Sequence, residues 1–262
     1  MCSREDGYVI LSVLPSEIRH AIKSVKNRTA PGPDRIRPEH LKNLPTILVN
    51  TLARLFTRYL SECKVPSQWK TSRIVLLHKK GDPQDIGNYR PICLLSVVYK
   101  LFTRVILNRI ERTLDEGQQC EQAGFRKGFS TIDHIHTFTK LVEVSREYRM
   151  PLCLTLIDLK KAFDTVETEA VLEALGNQGV PTQYIRIFRE LYSNFTKKRQ
   201  NLAILRRHHH RRQERDTVVI TPSISQAERM LADFDDECGK IGLQLNLTKT
   251  MFMRNGWVPN AP

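Results

Sequence analysis

The strongest constraint on the fold is a short apolar run, Leu152-Cys153-Leu154-Thr155-Leu156-Ile157, that ends on Asp158. Its length and near-continuous apolar character match a strand covered on both faces at the centre of a sheet. A carboxylate at the end of such a strand is costly unless its charge is compensated. Two solutions meet that condition. Asp158 caps the turn that follows, or it ligates a hard cation such as magnesium. Such an ion takes carboxylate oxygens, and nucleotidyl transfer uses it to bind phosphates and activate a hydroxyl.

Elsewhere helical and strand patterns are interspersed. Ile18, Ala21, Ile22 and Val25 predict a helix over residues 15–26 with Ser16 as its N-cap. The stretch Ala30-Pro31-Gly32-Pro33-Asp34 excludes both helix and central strand. A second helix is expected from Thr46 to Leu60, with Leu48, Leu52, Leu55, Phe56 and Tyr59 on its apolar face. Ser72 to His78 predicts a buried strand. From Ser96 a long helix carries the stripe Val98, Leu101, Phe102, Val105, Ile106, Ile110 and Leu114. Further helices are expected from Ser130 or Thr131, over about 168–175 and over about 181–193. Thr217 to Thr221, and the alternating Leu243, Leu245 and Leu247, predict strands. Between these strands, Ser225 and Glu228 form a capping-box pair ahead of a helix carrying Met230, Leu231 and Phe234, which ends by Gly239 or Gly242.

Charge narrows the function. The 262 residues include 41 Lys+Arg against 28 Asp+Glu, a net charge of +13. A chain this basic points to a polyanionic partner, nucleic acid by default. Hydrophobic residues at 40% and charged residues at 26% exclude a disordered or fibrous class. No run nears the ~18 apolar residues of a membrane span. Glu5 and Asp6 ahead of Tyr8-Val9-Ile10-Leu11 do not make a secretory leader, so an intracellular protein, cytoplasmic or nuclear, is expected. Six cysteines without a CxxC pair predict reduced thiols rather than a zinc site or disulfide framework. His134 and His136 have no nearby cysteine to complete a metal site. One segment stands apart: residues 197–215 hold eight Lys/Arg and one Glu around His208-His209-His210, hence +7 of the +13.

Two further stretches can carry chemistry. Lys79-Lys80-Gly81-Asp82, followed by Asn88-Tyr89-Arg90-Pro91-Ile92, either presents three cations to a triphosphate or forms a solvated hairpin tip. Gln122-Ala123-Gly124-Phe125-Arg126 with Ser130-Thr131 either contacts phosphate and sugar or is a plain loop and helix cap.

Taken in order, these blocks resemble the reverse transcriptase domain of non-LTR retrotransposons. The matching stretches are Ala30 to Asp34, the Lys79 to Ile92 unit, the Ala-Gly-Phe-Arg loop with Ser130-Thr131, and Asp158 to Asp164. Gly242-Leu243-Gln244-Leu245-Asn246 with Lys249-Thr250 completes the set. The resemblance spans roughly residues 15–199 and 216–254. It implies an α+β fold of the right-hand polymerase type, with fingers over 1–145 and an incomplete palm over 146–262, interrupted at 197–215, and no thumb. The implied partners are an RNA template, a DNA primer and deoxynucleotide triphosphates. Two magnesium ions are implied as cofactors. Asp158 matches a catalytic aspartate that ligates both ions. Phe163 matches the aromatic beneath the incoming sugar, and Lys79 and Arg90 match finger residues that grip the triphosphate, with Lys80 beside them facing nucleic acid. Arg126 matches a position near the template strand, and Lys249 a palm lysine close to the triphosphate. Asp164 belongs to the motif in a structural role.

The pattern breaks between Asp158 and Gly242. The family's glycine-rich block is absent. Its paired aspartates survive only as Arg215-Asp216, with Asp216 in the second place and Arg215 where the stronger metal ligand belongs. Two magnesium ions ~4 Å apart need several carboxylates to offset their repulsion. A copy with Arg215 there is expected to polymerise poorly, if at all, and a non-catalytic nucleic-acid-binding remnant is the alternative. The basic segment is then either an added phosphate-binding arm or a frameshift, splicing or deletion scar.

Overall fold

The structure, a computed structural model, describes residues 11–117, 130–160, 162–193 and 217–259. In chain order the elements are α1 (Pro15–Lys23), α2 (Pro38–Lys42), α3 (Thr46–Glu62), β1 (Arg73–His78), β2 (Tyr89–Leu94), α4 (Val97–Glu116), α5 (Thr131–Glu147), β3 (Cys153–Ile157), α6 (Ala162–Thr165), α7 (Thr168–Asn177), α8 (Thr182–Tyr192), β4 (Thr217–Thr221), α9 (Ile224–Lys240) and β5 (Met251–Arg254). Helix and sheet are mixed, as an α+β class requires. The chain forms two compact units: residues 1–117 with 171–204, and residues 118–170 with 205–262.

The first unit is built on helices. α4 buries Val97, Tyr99, Leu101, Phe102, Val105, Ile106 and Ile110, most of the predicted stripe. Ser96 caps it, its hydroxyl accepting from the N–H groups of Val98 and Tyr99. Phe56, Trp69, Tyr99 and Phe102 pack edge-on or tilted, with the Phe56 and Phe102 ring centres 5.0 Å apart. Two charged contacts were not legible as pairs in the sequence. Arg109 forks onto Glu17 at 2.7 and 2.8 Å and also donates to the Leu11 and Ser12 carbonyls. Lys70 donates to Glu190 and Ser193, 120 and 123 residues away.

Several expectations are corrected here. α1 starts at Pro15, not after Ser16: Leu14 is the N-cap and Glu17 accepts its N–H at 2.8 Å. Proline at the first helical position needs no donor, which moves the start upstream. The buried stripe of α3 is Val49, Ala53, Phe56 and Leu60, while Leu48 and Leu55 face solvent. The stripe passes through the small Ala53, which a search for large apolar residues overlooks. The strand at 73–78 forms as predicted but is not buried. It pairs only with β2, in a two-stranded antiparallel ribbon, and Leu77 is 58% exposed.

The second unit carries a three-stranded antiparallel sheet in the order β4-β3-β5. The predicted strand 152–157 is its centre, pairing Leu156 with Val218 on one side and Met251 on the other. Cross-strand partners share a face. Ile157 and Val219 face α9 and pack with Cys238 and Leu245. The opposite face presents Leu154, Leu156, Val218, Ile220, Met251 and Met253. At the entry to β3, Asn255 donates to Ser145 Oγ and the Met150 carbonyl, both at 2.8 Å, and accepts from the Leu152 N–H. α5 begins where predicted, with Ser130 as cap and a reciprocal bond to Asp133.

Two boundaries differ in this unit. α9 is capped by Ser223, whose hydroxyl accepts from the Gln226 N–H, and Ser225 lies inside the helix. The capping spacing occurs twice, two residues apart, and the upstream copy wins. Residues 243–247 are not a strand: Leu245 makes a single bridge to Leu159, and the third strand is instead Met251–Arg254. A turn around Asn246, which accepts from the N–H groups of Lys249 and Thr250, breaks the alternation. The described cysteines, Cys63, Cys93, Cys153 and Cys238, are free thiols.

Candidate active site

Asp158 follows the last residue of β3 and is only 5% exposed. Its surroundings come from residues 242–250. α9 ends in a Schellman arrangement, with Gly242 N–H on the Gly239 carbonyl and Leu243 N–H on the Cys238 carbonyl. Gly242 sits at φ +77°, and a Cβ there would stand 2.8 Å from the Thr165 carbonyl. Both conditions require glycine. The chain is thereby turned back along the end of β3, and Lys160 N–H donates to the Gln244 carbonyl at 2.8 Å.

The contacts on Asp158 then follow. Asn246 N–H donates to the Asp158 carbonyl at 2.8 Å, and its side-chain amide donates to Asp158 Oδ2 at 2.6 Å. Asp158 N–H donates to Thr250 Oγ1 at 3.4 Å. Lys249 Nζ lies 3.5 Å from the same Oδ2. The buried carboxylate is compensated by an amide and an ammonium. Sequence reasoning singled out Lys249 and missed Asn246 and Thr250. The signal was present in the motif itself, Asn246-Leu247-Thr248-Lys249-Thr250, where an asparagine after alternating leucines marks a turn.

Lys79, Lys80 and Arg90 belong to the other unit. The loop between β1 and β2 is tied by its own hydrogen bonds. Lys79 N–H donates to the Asn88 carbonyl at 2.8 Å, and Asp85 accepts from Gly87 N–H at 2.8 Å. Tyr89 O–H donates to the Pro83 carbonyl at 2.8 Å. Gly81 has φ +93°, and a Cβ there would meet the Asn88 amide at 2.8 Å. The result is an ordered tip on which Lys79, Lys80 and Arg90 are exposed and make no ion pair among the described residues. Such a tip can bind phosphate through its cations or remain solvated.

Ala30 to Asp34 also has a packing explanation. A Cβ on Gly32 would come within 2.5 Å of the Leu95 carbonyl carbon and 2.6 Å of Ser96 N. The loop is seated on the junction of β2 and α4, and only glycine fits.

Asp216 and Arg126 lie outside the described residues, as does the whole basic segment 197–215. Phe163 is on α6, but its side chain is also outside the description. Among the described residues no group of three or more His, Cys, Asp or Glu can hold a metal ion. Among the described residues Asp158 is the one carboxylate at this place, and an ammonium already stands 3.5 Å from it. The described residues therefore do not fit a two-magnesium centre, which needs carboxylates in excess of cations. No helix among the described residues is long and apolar enough to cross a membrane.

Residues 77–211 match the family described as reverse transcriptase (RNA-dependent DNA polymerase). The chain belongs to that family. The match takes in the hairpin tip with Lys79, Lys80 and Arg90, then Asp158, continues through residues 197–211 of the basic segment, and stops before Asp216. The chain is 36% identical over 153 residues to a Drosophila melanogaster protein named "Probable RNA-directed DNA polymerase from transposon BS", covering 57% of this chain and 17% of that one. It is 29% identical over 158 residues to the RNA-directed DNA polymerase from mobile element jockey of the same species, covering 59% and 17%. A Pol polyprotein from the type-1 retrotransposable element R2 of Popillia japonica is 30% identical over 165 residues, covering 63% and 22%. The domain is a reverse transcriptase domain of the non-LTR retrotransposon type, and it spans about a fifth of the length of these curated relatives.

Proposed function

We propose that the chain is the fingers and palm portion of an RNA-directed DNA polymerase that has lost the chemistry of its parent. The parent reaction is attack of a primer 3′-hydroxyl on the α-phosphate of a deoxynucleotide paired to an RNA template, with release of pyrophosphate. In this reading the hairpin cations Lys79, Lys80 and Arg90 meet the triphosphate and nucleic acid. Phe163 supports the sugar, Arg126 lies by the template, and Asp158 is the retained acid, with Asp216 as its damaged partner. Magnesium would be the cofactor of an intact relative. The fingers cover about 1–145 and the palm about 146–262.

The observation that carries the reading is the site of Asp158: a buried acid at the end of the central strand, with the 242–250 motif wrapped around it. The supposed loss of function rests on charge. Arg215 stands where the sequence pattern calls for the stronger metal-binding carboxylate. Losing even an outer partner of a metal site costs ~10–100-fold in affinity or activity. Primer extension on an RNA template with magnesium tests this, with Asp158→Ala as the matched control. Extension no greater than the control is expected. Extension that depends on Asp158 overturns the defect. Binding of RNA that weakens steeply with salt, without extension, identifies the nucleic-acid-binding remnant.

A further inference from the structure

We propose that Lys249 is the resident counter-cation of Asp158, held where a divalent ion would otherwise act, and that Asn246 is the positioning residue that aims the carboxylate at it. The inference rests on reading Asp158 as the retained metal-facing acid, and it adds how the chain compensates that buried side chain without a divalent ion.

The physical argument begins with burial. A carboxylate 5% exposed at a strand end requires compensation, and its partners are named: the Asn246 amide at 2.6 Å and the Lys249 ammonium at 3.5 Å. Both converge on one oxygen, Oδ2. The Asn246 backbone N–H on the Asp158 carbonyl fixes the loop to the strand, so the amide approaches from a set direction. Asn246 Oδ1 is itself held by the Thr248 hydroxyl at 2.7 Å, which turns the amide N–H2 toward Asp158.

Exposure of the two charges is unequal. The Lys249 side chain is 50% exposed, the Asp158 side chain 7%. The lysine reaches solvent, whereas the aspartate is enclosed. A magnesium or manganese ion on that carboxylate would sit at about 2.1 Å from oxygen. There it would face the ammonium at only a few ångströms, in partly dry surroundings where like charges repel strongly. Metal and lysine are therefore alternatives. With Lys249 in place, the chain has no need of the metal to hold its sheet end together.

Thermal melts of the whole chain with and without 5 mM MnCl2 test this, because an ion that binds only the folded state raises Tm. The wild type is expected to shift by no more than the Asp158→Asn control, which registers manganese bound elsewhere. Lys249→Met should melt roughly 2–5 °C lower without metal and recover most of that loss on addition of manganese. Lys249→Arg, which keeps a cation, should behave as wild type. The double variant Asp158→Asn with Lys249→Met should lose the manganese response. A wild-type shift as large as that of Lys249→Met would overturn the proposal, because metal would then reach Asp158 with the lysine present. So would a Lys249→Met protein indifferent to manganese. Asp158-dependent primer extension would refute the functional reading, while the melts, run without nucleotide or nucleic acid, decide the charge pair of the free chain separately.

Discussion

The two units are held together by different means. Among the described residues the first gathers 25 buried hydrophobic side chains in one cluster, and the second gathers four, Ile157, Val219, Cys238 and Leu245. The unit that carries Asp158 compensates with polar fastenings. Asn246 ties the end of β3 to the 242–250 loop, Asn255 ties the start of β3 to α5, and Gly242 forms the reversal that leads from α9 into that loop. Apolar burial stabilises in proportion to area and tolerates exchange of one hydrophobe for another. A polar fastening depends on specific atoms and leaves an unsatisfied group when one partner is removed. Sensitivity to mutation should therefore track large apolar residues in the first unit and asparagines in the second.

The largest effect is expected at Phe102, fully buried amid Phe56, Trp69 and Tyr59. Phe102→Ala should cost about 3–5 kcal/mol in urea or guanidinium unfolding. A cost below that of Val219→Ala in the second unit would break the comparison. Next comes Asn255→Ala, which strands the Leu152 N–H and takes a donor away from Ser145 Oγ and the Met150 carbonyl, which stay joined by the Ser145 hydroxyl. A loss of about 1–3 kcal/mol is expected, although the side chain is hydrophilic and its removal deletes no apolar core.

Acid should act on the first unit through Glu17. The hydrogen bond from Arg109, its largest influence, holds the Glu17 carboxyl below its ordinary value. A depressed acid contributes stability that is complete above its unfolded pKa, about 4.3, and that is lost as pH falls through the lowered folded value. Glu17→Gln should flatten the acid limb of a stability–pH curve and leave the slope above pH 6 unchanged. The effect is modest because the pair is partly solvated. An acid limb identical in wild type and variant would remove this pair from the account. Smallest is Thr155→Val. The Thr155 hydroxyl is buried without a hydrogen-bond partner among the described residues, so replacement by a methyl should stabilise by about 1 kcal/mol or less. A destabilised Thr155→Val would mean the hydroxyl has a partner.

Much of this architecture was legible from local pattern. The central strand at 152–157, α4 with its stripe and the α5 cap at Ser130 all follow from periodicity and turn chemistry. Of the hairpin only the first strand was legible, and β2 at Tyr89–Leu94 was not. What periodicity does not carry is the identity of the neighbour. The apolar run at 74–77 reads as buried because its composition does, yet it has one paired strand and remains exposed. Leu243, Leu245 and Leu247 alternate as a strand does, but the Asn246 turn takes priority. The pairs Glu17–Arg109 and Lys70–Glu190 join residues about a hundred positions apart. At the site, Asp158 and Lys249 were legible and Asn246 was not, because its role is set by a contact across 88 residues.

Hydrogen exchange read by mass spectrometry tests the contrast between the units most directly. Peptides from α4 should exchange only through global unfolding, and those from residues 242–254 through a cheaper local opening, faster by about a hundredfold. Equal, slow exchange in both regions would contradict the account, because it would make the sheet around Asp158 as firmly held as the helical core.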